Sequence, residues 1–130
     1  MATWRIAGVG VDAVKIGRLS RERMSQHILK RLFHPSEMTE LETIKEGCEL
    51  EFLASRYAAK EALVKALGSG FRGIYPSEIG VLSDSEGAPH FVLSGEVKAR
   101  CNLNEKRIHL SLTHEGELAL AFVVVEEQCG

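Results

Sequence analysis

With 130 residues the chain can build one domain with a real core but not two ordinary ones, and 45% hydrophobic with 26% charged residues is the balance of a globular protein. A formal charge of −2 gives no reason to expect nucleic acid as a partner. No apolar run approaches the roughly 20 residues that span a bilayer, so no membrane association is expected, and three widely spaced cysteines (Cys48, Cys101, Cys129) with no signal-peptide pattern ahead of them point to the cytoplasm.

Residues 4–14, WRIAGVGVDAV, are β-branched and glycine-rich and read as a strand ending near Asp12. From about 18 to 33, Met24, Ile28, Leu29 and Leu32 recur at helical spacing until Pro35 breaks the pattern. SEMTELETIKEG then reads as a short helix stopping near Gly47. A long helix is expected from about Glu49 to Leu67, with Gly68 as its C-cap. GSGFRG and Pro76 make a loop, and IGVLSDSEGAPHFVLSG turns at DSEG as a hairpin. EVKARC is a helical turn or two. Ile108, Leu110 and Leu112 alternate with polar residues before LALAFVVV returns as a second antiparallel hairpin. The order β-α-α-α-ββ-α-ββ argues for a single α+β domain over 1–130, a mostly antiparallel sheet packed against one long central helix and shorter helices.

Charge within the long helix is the feature that needs a reason. Leu53, Tyr57, Val64 and Leu67 fall in one stripe at about 100° per residue, and Lys60 lies inside it. Ala54, Ala58, Ala62 and Ala66 form a second face small enough for close contact with a neighbour. Arg56, Lys60 and Lys65 can snorkel, and Glu61–Lys65 can be an ordinary surface pair worth about 0.2–0.5 kcal/mol. Four charges on a helix with two nonpolar faces fit that reading poorly, because unpaired buried charge costs several kcal/mol. Three cations with one carboxylate suit an anion held with a divalent cation, such as phosphate with magnesium. Asp12 reads either as a turn residue or, with Glu61, as half of an oxygen-ligand site, since Mg2+ takes one or two carboxylates beside substrate phosphates. Gly8 and Gly10 leave room for another backbone or a ligand beside that strand. The N–H groups of Gly68, Ser69 and Gly70 can surround a phosphate, and His114 sits at the second hairpin's turn. Between positions 15 and 31 six basic residues face the single acid Glu22, either a solvated face or a docking surface for an acidic macromolecule.

These residues together resemble the holo-acyl-carrier-protein synthases, small bacterial 4′-phosphopantetheinyl transferases. Gly8-Val9-Gly10-Val11-Asp12 matches that family's first motif, and Phe52, Arg56, Tyr57, Ala58, Lys60, Glu61 and Ala62 fill its second, F-x-x-[RK]-[aromatic]-[AS]-x-K-E-A, in register. Weaker echoes are Phe33-His34-Pro35-Ser36-Glu37, the GSG loop and Ser111-Leu112-Thr113-His114, so the likeness runs along nearly the whole chain. The resemblance implies transfer of phosphopantetheine from coenzyme A to a serine of apo acyl carrier protein, releasing adenosine 3′,5′-bisphosphate. It implies Mg2+ on Asp12 and Glu61, with Lys65 catalytic, and phosphate contacts from Arg56, Lys65 and His114. Lys60 would either touch phosphate or orient Glu61. Arg18, Arg21 and Arg23 would dock the acidic carrier, in a homotrimer with sites at subunit boundaries; an exposed alanine face and a long apolar final strand suit that assembly. Lys15 stands where the family commonly has an acid, and His34 where a threonine is frequent. Glu37 or a metal-ordered water is a candidate general base. Two other functions use some of the same residues: an Mg-dependent nucleotide pyrophosphate hydrolase, and a non-catalytic module binding an acidic partner through the basic stretch.

Overall fold

The computed structural model describes residues 2–20 and 24–129. Its first strand, β1 (Trp4–Lys15), is followed by a 3₁₀ turn (Ile16–Leu19) and three helices, α1 (Gln26–Leu32), α2 (Pro35–Leu41) and α3 (Glu49–Leu67). A second 3₁₀ turn (Pro76–Glu78) leads into β2 (Gly80–Ser83) and β3 (Pro89–Val92). Then come α4 (Gly95–Arg100), β4 (Lys106–Glu115) and β5 (Leu118–Gln128). The α+β expectation holds. β5 is the middle strand of an antiparallel sheet ordered β1-β5-β4, and β2-β3 form a separate hairpin.

Alternation decides which side of the sheet is covered. Ala119, Ala121, Val123 and Val125 of β5 point inward at 0–1% exposure, with Val14 of β1 beside them, and α3 lies across that face. Acidic Glu49 and Glu51 occupy the first turn of α3, where the helix dipole favours them, and Gly68 closes it at φ +74°. A second cluster, Leu19, Leu29, Phe33, Leu41, Phe52 and Leu53, packs α1 and α2 on the N-terminal half of α3.

Four expectations are revised. β1 does not end near Asp12: pairing with β5 continues to Lys15 opposite Leu118. The helix expected over 18–33 begins only at Gln26, where Ser25 Oγ accepts the Ile28 N–H at 3.2 Å; residues 16–19 form the tighter 3₁₀ turn instead. α2 stops at Leu41, short of Gly47. The alanine face is not exposed. Ala54, Ala58 and Ala62 are at 0% and Ala66 at 9%, because this row is where the strand meets the helix. His34 also acquires a role, since its Nδ1 accepts the Ser36 N–H at 3.1 Å while Glu37 Oε1 accepts the His34 N–H at 2.9 Å, a reciprocal cap that starts α2.

Candidate active site

The site begins with two residues that have no side chain. A Cβ on Gly10 would lie 1.9 Å from the Ala62 carbonyl oxygen, and one on Gly8 would lie 1.9 Å from that of Ala66. The neighbour for which these glycines leave room is therefore the backbone of α3. Period-two alternation puts Asp12 on the same inward face as Gly8 and Gly10, and the close approach sets it against Glu61 and Lys65, which flank the alanine row.

Asp12 Oδ1 accepts from Lys65 Nζ at 2.8 Å, and the same ammonium reaches the Val11 carbonyl at 3.2 Å. The other oxygen, Oδ2, is buried without a hydrogen-bond partner among the described residues. Glu61 stands close enough for Asp12 to act on it. Burial first, then the Asp12 charge, holds the Glu61 carboxyl above its ordinary range, with the Tyr57 hydroxyl hydrogen-bonding to it and pulling the other way. Tyr57 is itself raised, by burial and then by Glu61. Two carboxylates side by side, one with a buried lone pair that no described donor meets, are a donor set for a hard divalent cation such as Mg2+. Among the described residues no cluster of three or more His, Cys, Asp or Glu could hold a metal, so substrate or solvent oxygens would complete the shell.

Five residues separate Arg56 from Glu61, about 140° around the helix, and so Arg56 looks toward α2 and β2. Its side chain is only 11% exposed. Nη1 reaches Ser55 Oγ at 3.2 Å, Nη2 reaches Ser83 Oγ at 3.4 Å and Glu40 Oε1 at 3.7 Å, and the guanidinium lies 4.4 Å over the Phe52 ring. Nε is buried and unpartnered among the described residues. Burial lowers this guanidinium's pKa, with Glu40 opposing, as suits a cation lacking a close carboxylate. His114 lies across a cleft of about 130 Å³ that it shares with Arg56, Ser55 and Glu51, and its Nε2 is 3.0 Å from Glu51 Oε1. Asp12 belongs to β1 and His114 to β4, the two outer strands of the sheet. Within one chain the carboxylate pair and the Arg56–His114 cleft are two separate half-sites.

Three expected roles change. Lys60 is not available to phosphate and does not reach Glu61. It is 0% exposed, and its three N–H groups go to Glu37 Oε1 at 2.5 Å, the Pro76 carbonyl at 3.1 Å and the Ile79 carbonyl. Glu37 is not available as a general base. Besides Lys60 it accepts the N–H groups of His34 at 2.9 Å and Val81 at 3.1 Å. Burial pulls both partners toward their neutral forms, raising Glu37 and lowering Lys60, while each holds the other charged. The glycine loop caps α3 and does not cradle an anion: the N–H of Gly68 binds the Lys65 carbonyl at 3.1 Å, and those of Ser69 and Gly70 bind the Val64 carbonyl at 3.2 and 3.3 Å.

Arg18 is exposed on the first 3₁₀ turn, close enough for its charge to lower Tyr57, and lines a cleft of about 620 Å³ with Lys15, Gly17 and Glu117. Arg21 and Arg23 lie outside the described residues. Sequence reasoning missed the Tyr57 hydroxyl, which stands one turn before Glu61, and it missed the Lys60–Glu37 pairing. The H-x-x-E cap spacing marks Glu37 as a helix-start residue but says nothing of a lysine on another helix.

Known proteins share both the sequence and the fold. The profile of the 4′-phosphopantetheinyl transferase superfamily matches residues 8–123. A holo-[acyl-carrier-protein] synthase of Halothermothrix orenii is 39% identical over 125 residues, covering 94% of this chain and 98% of that one. One from Trichlorobacter lovleyi is 42% identical over 125 residues, with 93% and 98% covered. The crystal structure of the holo-[acyl-carrier-protein] synthase from Neisseria meningitidis superposes with a TM-score of 0.84 at 33% identity, covering 93% of this chain and 98% of that one. The Bacillus anthracis enzyme in complex with CoA (3′,5′-ADP) superposes at 0.78 and 32%, with 94% and 97% covered.

Proposed function

The chain belongs to the holo-acyl-carrier-protein synthases of the 4′-phosphopantetheinyl transferase superfamily, which move phosphopantetheine from coenzyme A to apo acyl carrier protein, and from that premise we propose how its residues work. Asp12 and Glu61 hold a Mg2+ ion, supported by the one observation that carries the reading: the unpartnered Asp12 Oδ2 beside the raised Glu61 carboxyl. When bound, the ion supplies charge stabilisation for the phosphoryl under attack and for the leaving oxygen. Lys65, whose side chain is 54% exposed, bridges Asp12 and can share its remaining donor with a phosphate oxygen. Arg56 and His114 contact coenzyme A phosphate; the orphaned Nε of Arg56 and the adjoining cleft support that role. The carrier serine oxygen attacks the phosphorus that bears the pantetheine arm, the P–O bond to adenosine 3′,5′-bisphosphate breaks, and the serine proton passes to solvent. Arg18, with Arg21 and Arg23, meets the acidic carrier, chiefly setting encounter rate and register.

The chain acts as one domain, in the cytoplasm, as a homotrimer. No helix among the described residues is long and apolar enough to cross a membrane, and the three cysteines are free. The outer sheet face is the surface that suits an assembly: Val9 is 55% exposed, Val11 58% and Phe122 48%, with Val11 directly opposite Phe122. Pairing β1 of one copy near β4 of another would join the two half-sites. The test is the intact mass of apo carrier protein after incubation with the chain, coenzyme A and Mg2+. Wild type should add one phosphopantetheine, and Glu61→Gln should fold yet slow transfer by roughly three orders of magnitude, about 4 kcal/mol. Coenzyme A cleavage with no gain of mass on the carrier would favour hydrolysis, and full activity of Glu61→Gln would remove the metal reading.

A further inference from the structure

We propose that the buried Glu37–Lys60 pair is a positioning device for Arg56, setting where its guanidinium stands and through it the affinity for coenzyme A. The inference rests on the reading of Arg56 as a coenzyme A contact. Both side chains of the pair are at 0% exposure. Together they join four elements: α2 through Glu37, α3 through Lys60, the second 3₁₀ turn through the carbonyls of Pro76 and of its C-cap Ile79, and β2 through the Val81 N–H. Stability alone gives little reason for such a pair, since well-packed apolar residues of similar volume usually serve as well or better. What the fastened elements carry gives a better one.

Arg56 lies one helical turn before Lys60. Among the described residues, both of its polar contacts from outside α3 come from elements that the pair ties down. Ser83, 3.4 Å from Nη2, is two residues beyond Val81 on β2, and Glu40, 3.7 Å away, is one turn beyond Glu37 on α2. Single contacts of that length hold a guanidinium only while the backbones bearing them stay fixed. Its Nε has no partner among the described residues to fix it independently. The pair thus acts on the ligand through Arg56 and touches nothing in the reaction itself.

The experiment is steady-state transfer by the full chain, with coenzyme A and apo carrier varied separately. Glu37→Gln/Lys60→Met replaces the ion pair by a neutral one of similar volume, and the new amide carbonyl can still accept a backbone N–H. This variant should melt cooperatively, and KM for coenzyme A should rise about tenfold, equivalent to about 1.4 kcal/mol, with KM for the carrier unchanged. Added to Arg56→Ala, the double substitution should raise KM for coenzyme A no further, because both changes remove one contribution. A double variant whose KM for coenzyme A stays within about twofold of wild type, or whose effect adds fully to that of Arg56→Ala, overturns the proposal. Arg56→Ala alone separates the two layers. If it leaves KM for coenzyme A unchanged, the assignment of Arg56 fails and the positioning role falls with it; if it raises KM while the double variant does not, only the positioning role fails. Should the double variant not fold, Glu40→Gln/Ser83→Ala decides, since it removes the same contacts without entering the core. A rise in KM for coenzyme A supports the proposal, and an unchanged KM overturns it.

Discussion

Lys60 and Arg56 are cations one turn apart on the same helix, both largely hidden from water, yet they are held in opposite ways. Lys60 spends every N–H on the chain itself, one on a carboxylate at 2.5 Å and two on backbone carbonyls. Among the described residues, Arg56 has a buried nitrogen with no partner and meets a carboxylate oxygen, that of Glu40, only at 3.7 Å. A buried charge whose partners all come from the fold belongs to the fold. A buried charge left partly unmatched is the one to which a ligand role is proposed. Asp12 is the anionic counterpart of Arg56, since Lys65 meets one oxygen and no described residue meets the other.

The sharpest way to break that distinction is to truncate both cations to the same residue. Lys60→Met strands the Glu37 carboxylate in the core and should cost about 3–5 kcal/mol, whereas Arg56→Met should change stability by less than about 1 kcal/mol. Urea unfolding of the two variants measures the difference, and equal losses would erase the contrast. A smaller effect tests whether the second copy supplies what the half-sites lack. Val11→Glu puts a charge at the centre of the apolar outer face without touching Asp12's inward side. If the chain assembles as the proposed homotrimer through this face, native mass should fall from trimer to monomer, with transfer falling in parallel; a charged variant that stays trimeric would place the assembly elsewhere.

The smallest expected effect concerns an exposed pair, where solvent rather than fold sets the scale. Arg100 holds Glu78 through two contacts of 2.6 Å and keeps its carboxyl below the ordinary value of 4.5. Because the folded value is the lower one, the pair's contribution is full above the unfolded value and disappears as pH falls through the folded one. Melting temperature should therefore drop slightly faster in wild type than in Glu78→Gln between about pH 6 and about pH 3, and the two curves should converge at the acid end. Parallel curves would mean that the pair adds nothing.

How much of this was legible in the sequence depends on the range over which each signal acts. α3 with its Gly68 cap and both hairpins follow from local periodicity and turn chemistry, and the structure keeps them. Asp12 and Glu61 were legible as a pair because the glycines beside Asp12 announce a close neighbour. The alanine row announces one too, but a row of small residues does not say whether its own sheet or another subunit covers it. Lys60 failed for a similar reason. Its place on the helix shows that it is buried, while its partner lies 23 residues away on a different element. The N–H groups of the glycine loop were read as free, although a helix ending in a left-handed glycine draws them back to its own carbonyls.

The contact of Gly8 and Gly10 with α3 also bears on how the enzyme can vary. Even a methyl group there would act as a shim, prising strand from helix and moving Asp12 away from Glu61 while leaving both carboxylates chemically intact. Were Asp12 and Glu61 to hold the proposed Mg2+, its grip would be governed from two positions that never meet it, and a variant altered there would look in an assay like one that had lost a ligand.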